Sequence, residues 1–337
     1  MVCKRRLALA LVTSLFLAVS AAPASFAAAY PEKNLTGFIS FGAGGGTDNL
    51  SRAVTPFAEK HLGKTIVLSN KPGAVGAVAH TLVCNSPADG YTMLYQAENP
   101  SLYKILGLSS KDWDDVEPIM LFLQGITVIC VTPDSALKSY EELIEALKGG
   151  KDVIMGTTGI GGLPYVAGAM MKTVHGIKNV DFAQFESDGT AATAMLGGHL
   201  EVMPMAISAC LEFIRAGKLR PLVVYNPTRL PQLPDVPAVT EIYPEYGKFL
   251  PWGPFYGVFV RKGTPADKVQ VLRDAFTKAM ADPELDKILE NFAGSKLALT
   301  GDEAVAYLKK NQSIASWLVY EVGGAKKSPA EFNIAKP

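Results

Sequence analysis

The chain has 337 residues and carries 32 Lys and Arg against 32 Asp and Glu. Neutralising a phosphate backbone needs a cationic excess, so this balance excludes nucleic-acid binding of that kind. The length suits two domains of ordinary size around one cleft.

Lys4, Arg5 and Arg6 precede an apolar run from Leu7 to Val19, and Ser25-Phe26-Ala27 offers small residues for cleavage. This is the pattern of an export signal. The run is shorter than the ~20 residues of a membrane span, which argues against an anchor. Cleavage after Ala27 leaves 337 − 27 = 310 residues, destined for the periplasm. No cysteine stands at the cleavage site to take a lipid. Cys84, Cys130 and Cys210 lie far apart without CxxC spacing and read as small buried residues. One disulfide, between a pair the sequence does not choose, stays open.

A short apolar segment leads into Phe41-Gly42-Ala43-Gly44-Gly45-Gly46-Thr47-Asp48, and a helix is predicted after it from Leu50, Ala53, Val54, Phe57, Ala58 and Leu62, spaced along one face. Four glycines leave the amides unshielded, and Thr47 or Asp48 can cap the helix start. Free N–H groups at the positive end of a helix hold anions. The loop fits neither a Walker A pattern nor G-x-G-x-x-G, since no Lys-Ser/Thr follows and Thr47 stands where the last glycine belongs. Anion capture by the amides and the Thr47 hydroxyl is the favoured reading, against a plain tight turn. Arg52, one turn later, reads as a brace for the loop or a partner of a surface acid.

Strands are predicted at Ile66 to Leu68, Tyr91 to Tyr95 and Val128 to Val131, and the capping-box spacing of Ser139 and Glu142 opens a helix to about Lys148. The run Asp112, Asp114, Asp115 and Glu117 reads as a solvated loop before a metal site. Val153 to Met155 enters Gly156-Thr157-Thr158-Gly159-Ile160-Gly161-Gly162 and a helix, repeating the logic of the first loop. Two such loops favour a cleft closing on an acidic ligand; two structural turns are the alternative. Phe182 to Phe185 is a strand and Thr190 to Leu196 a helix. Between them Asp188 either caps the helix or accepts a hydrogen bond from a hydroxyl, amine or protonated group of a ligand. A bare carboxylate there repels a simple polyanion. Leu219 to Tyr225 and Tyr256 to Val260 are strands, and helices span about 265–281, 284–292 and 302–322. Alternating helices and strands argue an α/β architecture.

Catalytic patterns are thin. His61, His80, His175 and His199 never stand i, i+4 from one another, and no H-E-x-x-H or G-x-S-x-G occurs. No catalytic residue, metal or cofactor is expected.

The ordered motifs are specific. Tyr30-Pro31, Phe41 to Asp48 with Arg52, Asn70 to Gly76, Asp89 to Thr92, Leu233 to Pro237 with Glu241, Gly263 to Pro265 and Asp282 to Glu284 follow one another over nearly the whole mature part. In this the chain resembles the extracytoplasmic substrate-binding proteins of tripartite tricarboxylate transporters, the Bug or TctC family. The resemblance implies a type II periplasmic binding protein, a Venus flytrap of two α/β domains. Domain one is then 28–127 with 255–337, and domain two 128–254. It implies a monomer that captures a small carboxylate and delivers it to the membrane subunits of a transporter. Carried over, the ligand contacts are Phe41, Gly45, Gly46, Thr47, Asp48 and Asn99 in domain one, and Thr157, Thr158, Gly159, Gly161, Ser187 and Asp188 in domain two. Thr157 stands where Ser is usual, Tyr165 replaces a common His, and Glu186 to Gly189 adds bulk and charge to a loop that is usually smaller. Citrate therefore does not follow from the family name. A sensory module and an exported enzyme, with Asp48 or Asp188 as base, are the rival readings.

Overall fold

A computed structural model describes residues 30–150, 153–250 and 252–337; the expected export signal lies outside them. Alternate side chains of β1 (Leu35–Ile39) are buried, and the glycine loop then enters α1 (Gly46–Leu62). That helix ends where Gly63 adopts φ 64° and donates to the Glu59 carbonyl, a left-handed stop that glycine makes without strain. Next come β2 (Ile66–Asn70), α2 (Ala77–Asn85), β3 (Thr92–Gln96), the single turn α3 (Tyr103–Leu106) and β4 (Val116–Gln124).

Two residues later β5 (Thr127–Val131) opens a second sheet. It continues through α4 (Tyr140–Lys148), β6 (Ile154–Thr157), α5 (Leu163–His175), β7 (Asp181–Gln184) and α6 (Asp188–Leu196). Then follow β8 (Val202–Ala206), α7 (Ile207–Arg215) and β9 (Arg220–Val224). The chain returns past the short α8 (Val239–Ile242) to β10 (Phe255–Arg261) in the first sheet. After it stand α9 (Ala266–Met280), α10 (Pro283–Glu290), β11 (Ser295–Leu299) and α11 (Gly301–Glu321).

The first sheet runs β11-β4-β10-β3-β1-β2 and the second β7-β6-β8-β5-β9. In the first, β1 is parallel to β2 and β3, and β10 returns antiparallel between β3 and β4. In the second, β6 is parallel to β7 and β8, while β5 is antiparallel to β8 and β9. The outward and return crossings touch: the Gly125 amide donates to the Pro254 carbonyl at 2.7 Å. A side chain at Gly253 would collide with the Gly125 carbonyl, so the two passes meet backbone to backbone.

Most expected elements are present within a few residues. The strands β4, β8 and β11 and the helix α7 had no counterpart in the sequence reading. The Val-Met-Pro-Met-Ala of β8 reads poorly as a strand because proline cannot donate to a ladder. Pro204 is accommodated opposite Ile129, beyond the single residue pair, Met155 with Val202, that joins β8 to β6. The acidic run is corrected. Asp112 is buried and paired with Lys104 at 2.8 Å, and it caps the short turn at Trp113. Glu117 pairs with Arg273 at 2.7 Å. Among the described residues no group of acidic, His or Cys side chains is arranged to hold a metal, and no helix is long and apolar enough to cross a membrane. Cys84, Cys130 and Cys210 are buried and free.

The second half carries a buried hydroxyl cluster, in which Tyr140 Oη lies 2.7 Å from both Tyr225 Oη and Tyr246 Oη. Tyr140→Phe keeps the ring and leaves two buried hydroxyls short of a partner. It is expected to cost about 1–3 kcal/mol in urea denaturation; an unchanged midpoint would show that Tyr225 and Tyr246 re-pair without loss.

Candidate functional site

The loop from Phe41 enters α1 with Gly45 as the N-cap, and no side chain bonds the helix start. Neither Thr47 nor Asp48 caps it, contrary to the expectation from sequence. The Asp48 carboxylate instead accepts from the Gly44 amide at 3.0 Å, from Arg52 Nε at 2.8 Å and from Asn70 Nδ2 at 2.8 Å. Asn70 also donates to the Phe41 carbonyl at 2.8 Å, and Arg52 donates to Asn70 Oδ1 at 2.9 Å. Asp48, Arg52 and Asn70 thus clamp the loop from outside, and the first-turn amides of α1 stay unspent. Arg52 is the brace that its spacing suggested.

Across from this helix start stands that of α6. Its cap is Ser187, whose Oγ accepts from the Thr190 amide at 3.2 Å while Thr190 Oγ1 accepts from the Ser187 amide at 3.1 Å. This capping box excludes Asp188 as the cap. The aspartate is the first helical residue, not the cap, and its Oδ2 accepts from the Ala206 amide at 2.8 Å.

Between the two helix starts lies a small cavity of about 40 Å³. Eight of the residues singled out from sequence line it. Phe41, Gly45, Gly46 and Thr47 come from the first loop, and Asn99 follows β3; Thr158, Ser187 and Asp188 face them from the second half. Four do not line it: Asp48, Thr157, Gly159 and Gly161. The Thr157 hydroxyl is spent inside its own loop, on the Gly159 amide at 3.1 Å and carbonyl at 3.2 Å.

Gly159 and Gly161, at φ 111° and 92°, permit close approach across the cleft. A Cβ on them would stand 2.9 Å from Val75 and 2.6 Å from Leu106, respectively. The two halves are closed on one another. The Gly42 amide donates to the Glu186 carbonyl at 3.4 Å, Ser187 Oγ to the Ala43 carbonyl at 3.3 Å, and Asn99 Nδ2 to the Gly161 carbonyl at 3.1 Å.

Sequence reasoning missed Glu98, Tyr256, Leu163, Ala206, Ala97 and Pro254, all of which line the cavity. Glu98 carried one signal, a lone carboxylate two residues past the end of a buried strand. Tyr256 carried none, because its strand reads only as core. No Lys, Arg or His is among the lining residues. Burial pushes the Glu98 carboxyl up to about 8, its own amide opposes that rise, and the nearby Asp188 charge adds to it. Burial likewise raises Asp188 to about 6 against the stabilising Ala206 amide. The four histidines lie outside the cavity; His80 is buried, which lowers its imidazole to about 4.

The sequence profile of the tripartite tricarboxylate transporter family receptor, TctC, matches residues 50–315. The chain belongs to this family. As a TctC-family chain it is a solute-binding receptor. It is 25% identical over 324 residues to BugT of Bordetella pertussis, covering 94% of this chain and 98% of BugT. Among solved structures, the periplasmic binding protein BugD matches with a TM-score of 0.82 at 26% identity, covering 88% of this chain and 100% of that one. MatC of Rhodopseudomonas palustris, solved with bound malate, shares the fold with a TM-score of 0.77 at 22% identity, covering 87% of this chain and 100% of MatC. The architecture is therefore the two-sheet α/β fold of periplasmic binding proteins, as the resemblance implied.

Proposed function

We propose that this TctC-family receptor captures a small carboxylate in the cavity between α1 and α6 and hands it to the membrane subunits of a tripartite transporter. The observation that carries this is the uncapped start of α1, where Gly45, Gly46 and Thr47 line the cavity and no protein side chain takes the first-turn amides. A ligand carboxylate seated there replaces its lost hydration with those N–H groups and the helix dipole. The fold also houses a carboxylate, malate, in MatC. The two sheets support a division into domain one (28–127 with 255–337) and domain two (128–254), within one residue of the start of β5 at Thr127, and we take the touching crossovers at Gly125 and Pro254 as the bending axis. We place the protein in the periplasm, as a monomer without cofactor, its signal removed near Ala27. Catalysis is disfavoured at Asp48, whose carboxylate is consumed by three hydrogen bonds.

A thermal-shift screen of di- and tricarboxylates, aromatic acids and amino acids tests the reading. Folded protein, freed of any retained ligand, that responds to none of these classes would overturn it. With the best hit in hand, Thr47→Val is expected to weaken binding by about 1–3 kcal/mol, because a polar partner of the ligand is left unpaired. Unchanged affinity in calorimetry would restrict Thr47 to a structural role.

A further inference from the structure

The cavity has two chemically opposite poles. One is the α1 start with its amides. The other is built from acceptors: Glu98 Oε2 and Asn99 Oδ1 are both buried without a hydrogen-bond partner, and the residues that carry them are 6% and 2% exposed. Both residues line the cavity beside Asp188. The Asn99 amide nitrogen is already used, on the Gly161 carbonyl and on Glu98 Oε1 at 3.2 Å, which fixes Oδ1 as an acceptor without a donor. Unpaired buried acceptors are costly, and buried carboxylates without a cation more so. The protein supplies no such cation to the lining.

Resting on the carboxylate reading above, we propose that the ligand also carries a protonated amine, seated between Glu98 and Asp188 and donating to Asn99 Oδ1. The specific class is thus a small zwitterion: an amino acid or related amine-bearing acid. A plain di- or tricarboxylate leaves Asn99 Oδ1 unpaired and brings a second negative charge towards the Asp188 carboxyl. An ammonium meets all three acceptors and favours the ionised form of both acids. Glu98 and Asp188 are then specificity-determining residues, and the helix-start loop holds the carboxylate.

The test is calorimetry on matched pairs that differ by the amine: aspartate with succinate, glutamate with glutarate, and ω-amino acids with their des-amino acids. The amine-bearing member of at least one pair is expected to bind about 10-fold tighter or more. Glu98→Gln and Asp188→Asn, checked for folding by circular dichroism, are expected to shrink that ratio, read from both members of each pair. If the des-amino members bind as tightly or more tightly, the zwitterion proposal fails and the carboxylate reading stands. If no member of any pair binds, the zwitterion proposal fails, and the carboxylate reading falls with it only if the wider thermal-shift screen is also without a hit. A preference for the amine that survives both substitutions would overturn the assignment of these two residues.

Discussion

Gly189→Ala is expected to abolish tight ligand binding while leaving the free protein as stable as before, or slightly more so. Gly189 is the second residue of α6, with an ordinary helical backbone, so alanine favours the helix by about 0.5–1 kcal/mol. In the closed form, however, its Cβ would stand 2.7 Å from the Gly44 carbonyl carbon and 2.9 Å from the Ala43 oxygen. Those are backbone atoms of a loop already clamped by Asp48, Arg52 and Asn70, so they cannot retreat as a flexible side chain would. The two halves then stop short of contact, and the overpacking penalty falls on the closed state alone. We expect a loss of about 2 kcal/mol or more in binding, roughly 30-fold, with an unchanged or raised melting temperature of the free protein. Calorimetry and a thermal melt read the two effects separately. Wild-type affinity in Gly189→Ala would show that the contact between Gly44 and Gly189 is not part of the liganded form.

The second large effect is a pH dependence that belongs to Glu98. Burial raises its carboxyl from the ordinary 4.5 to about 8 in the folded protein. Between these values the unfolded chain has lost the proton and the folded chain keeps it, so folding takes up a proton and stability falls as pH rises. The contribution is fully present below about pH 4.5 and is lost on passing pH 8. The groups facing Glu98 are Asp188, which titrates lower, near 6, and the hydroxyls of Tyr103, Tyr256 and Tyr307, which burial keeps protonated throughout. Glu98→Gln carries no proton to lose. Its advantage over the wild type in urea denaturation, without ligand, is expected to be small at pH 5 and to grow to the order of 2–4 kcal/mol at pH 8.5. Parallel pH profiles for the two proteins would sink this account of the site.

The local features of the site were legible because they obey short-range rules. A run of glycines before an amphipathic helix marks a helix start with free amides, whereas the cap of α6, read at Asp188, stands one residue earlier at Ser187. Eight of the twelve residues carried over from the family resemblance line the cavity. The four that do not are informative about what spacing omits. Asp48 and Thr157 have the right chemistry, but their polar atoms are consumed by neighbours in their own loops. Gly159 and Gly161 have the right backbone but serve the approach of Val75 and Leu106 from the other half.

By itself, then, the sequence determined the α/β class, the glycine-led start of α1 and the family, because periodicity, glycine placement and ordered motifs act over a few residues; it paired that start with the loop from Gly156 to Gly162, and the structure sets the start of α6 across from it instead. Only the tertiary structure decided what faces what. Glu98 stands two residues past a strand of the first sheet and Asp188 begins a helix of the second half, 90 positions later in the chain. Their charges act on one another only because two separate sheets close over the same small space and exclude water from it. That exclusion turns an ordinary pair of acids into the acceptor pole of the cavity, and no local pattern of residues encodes it.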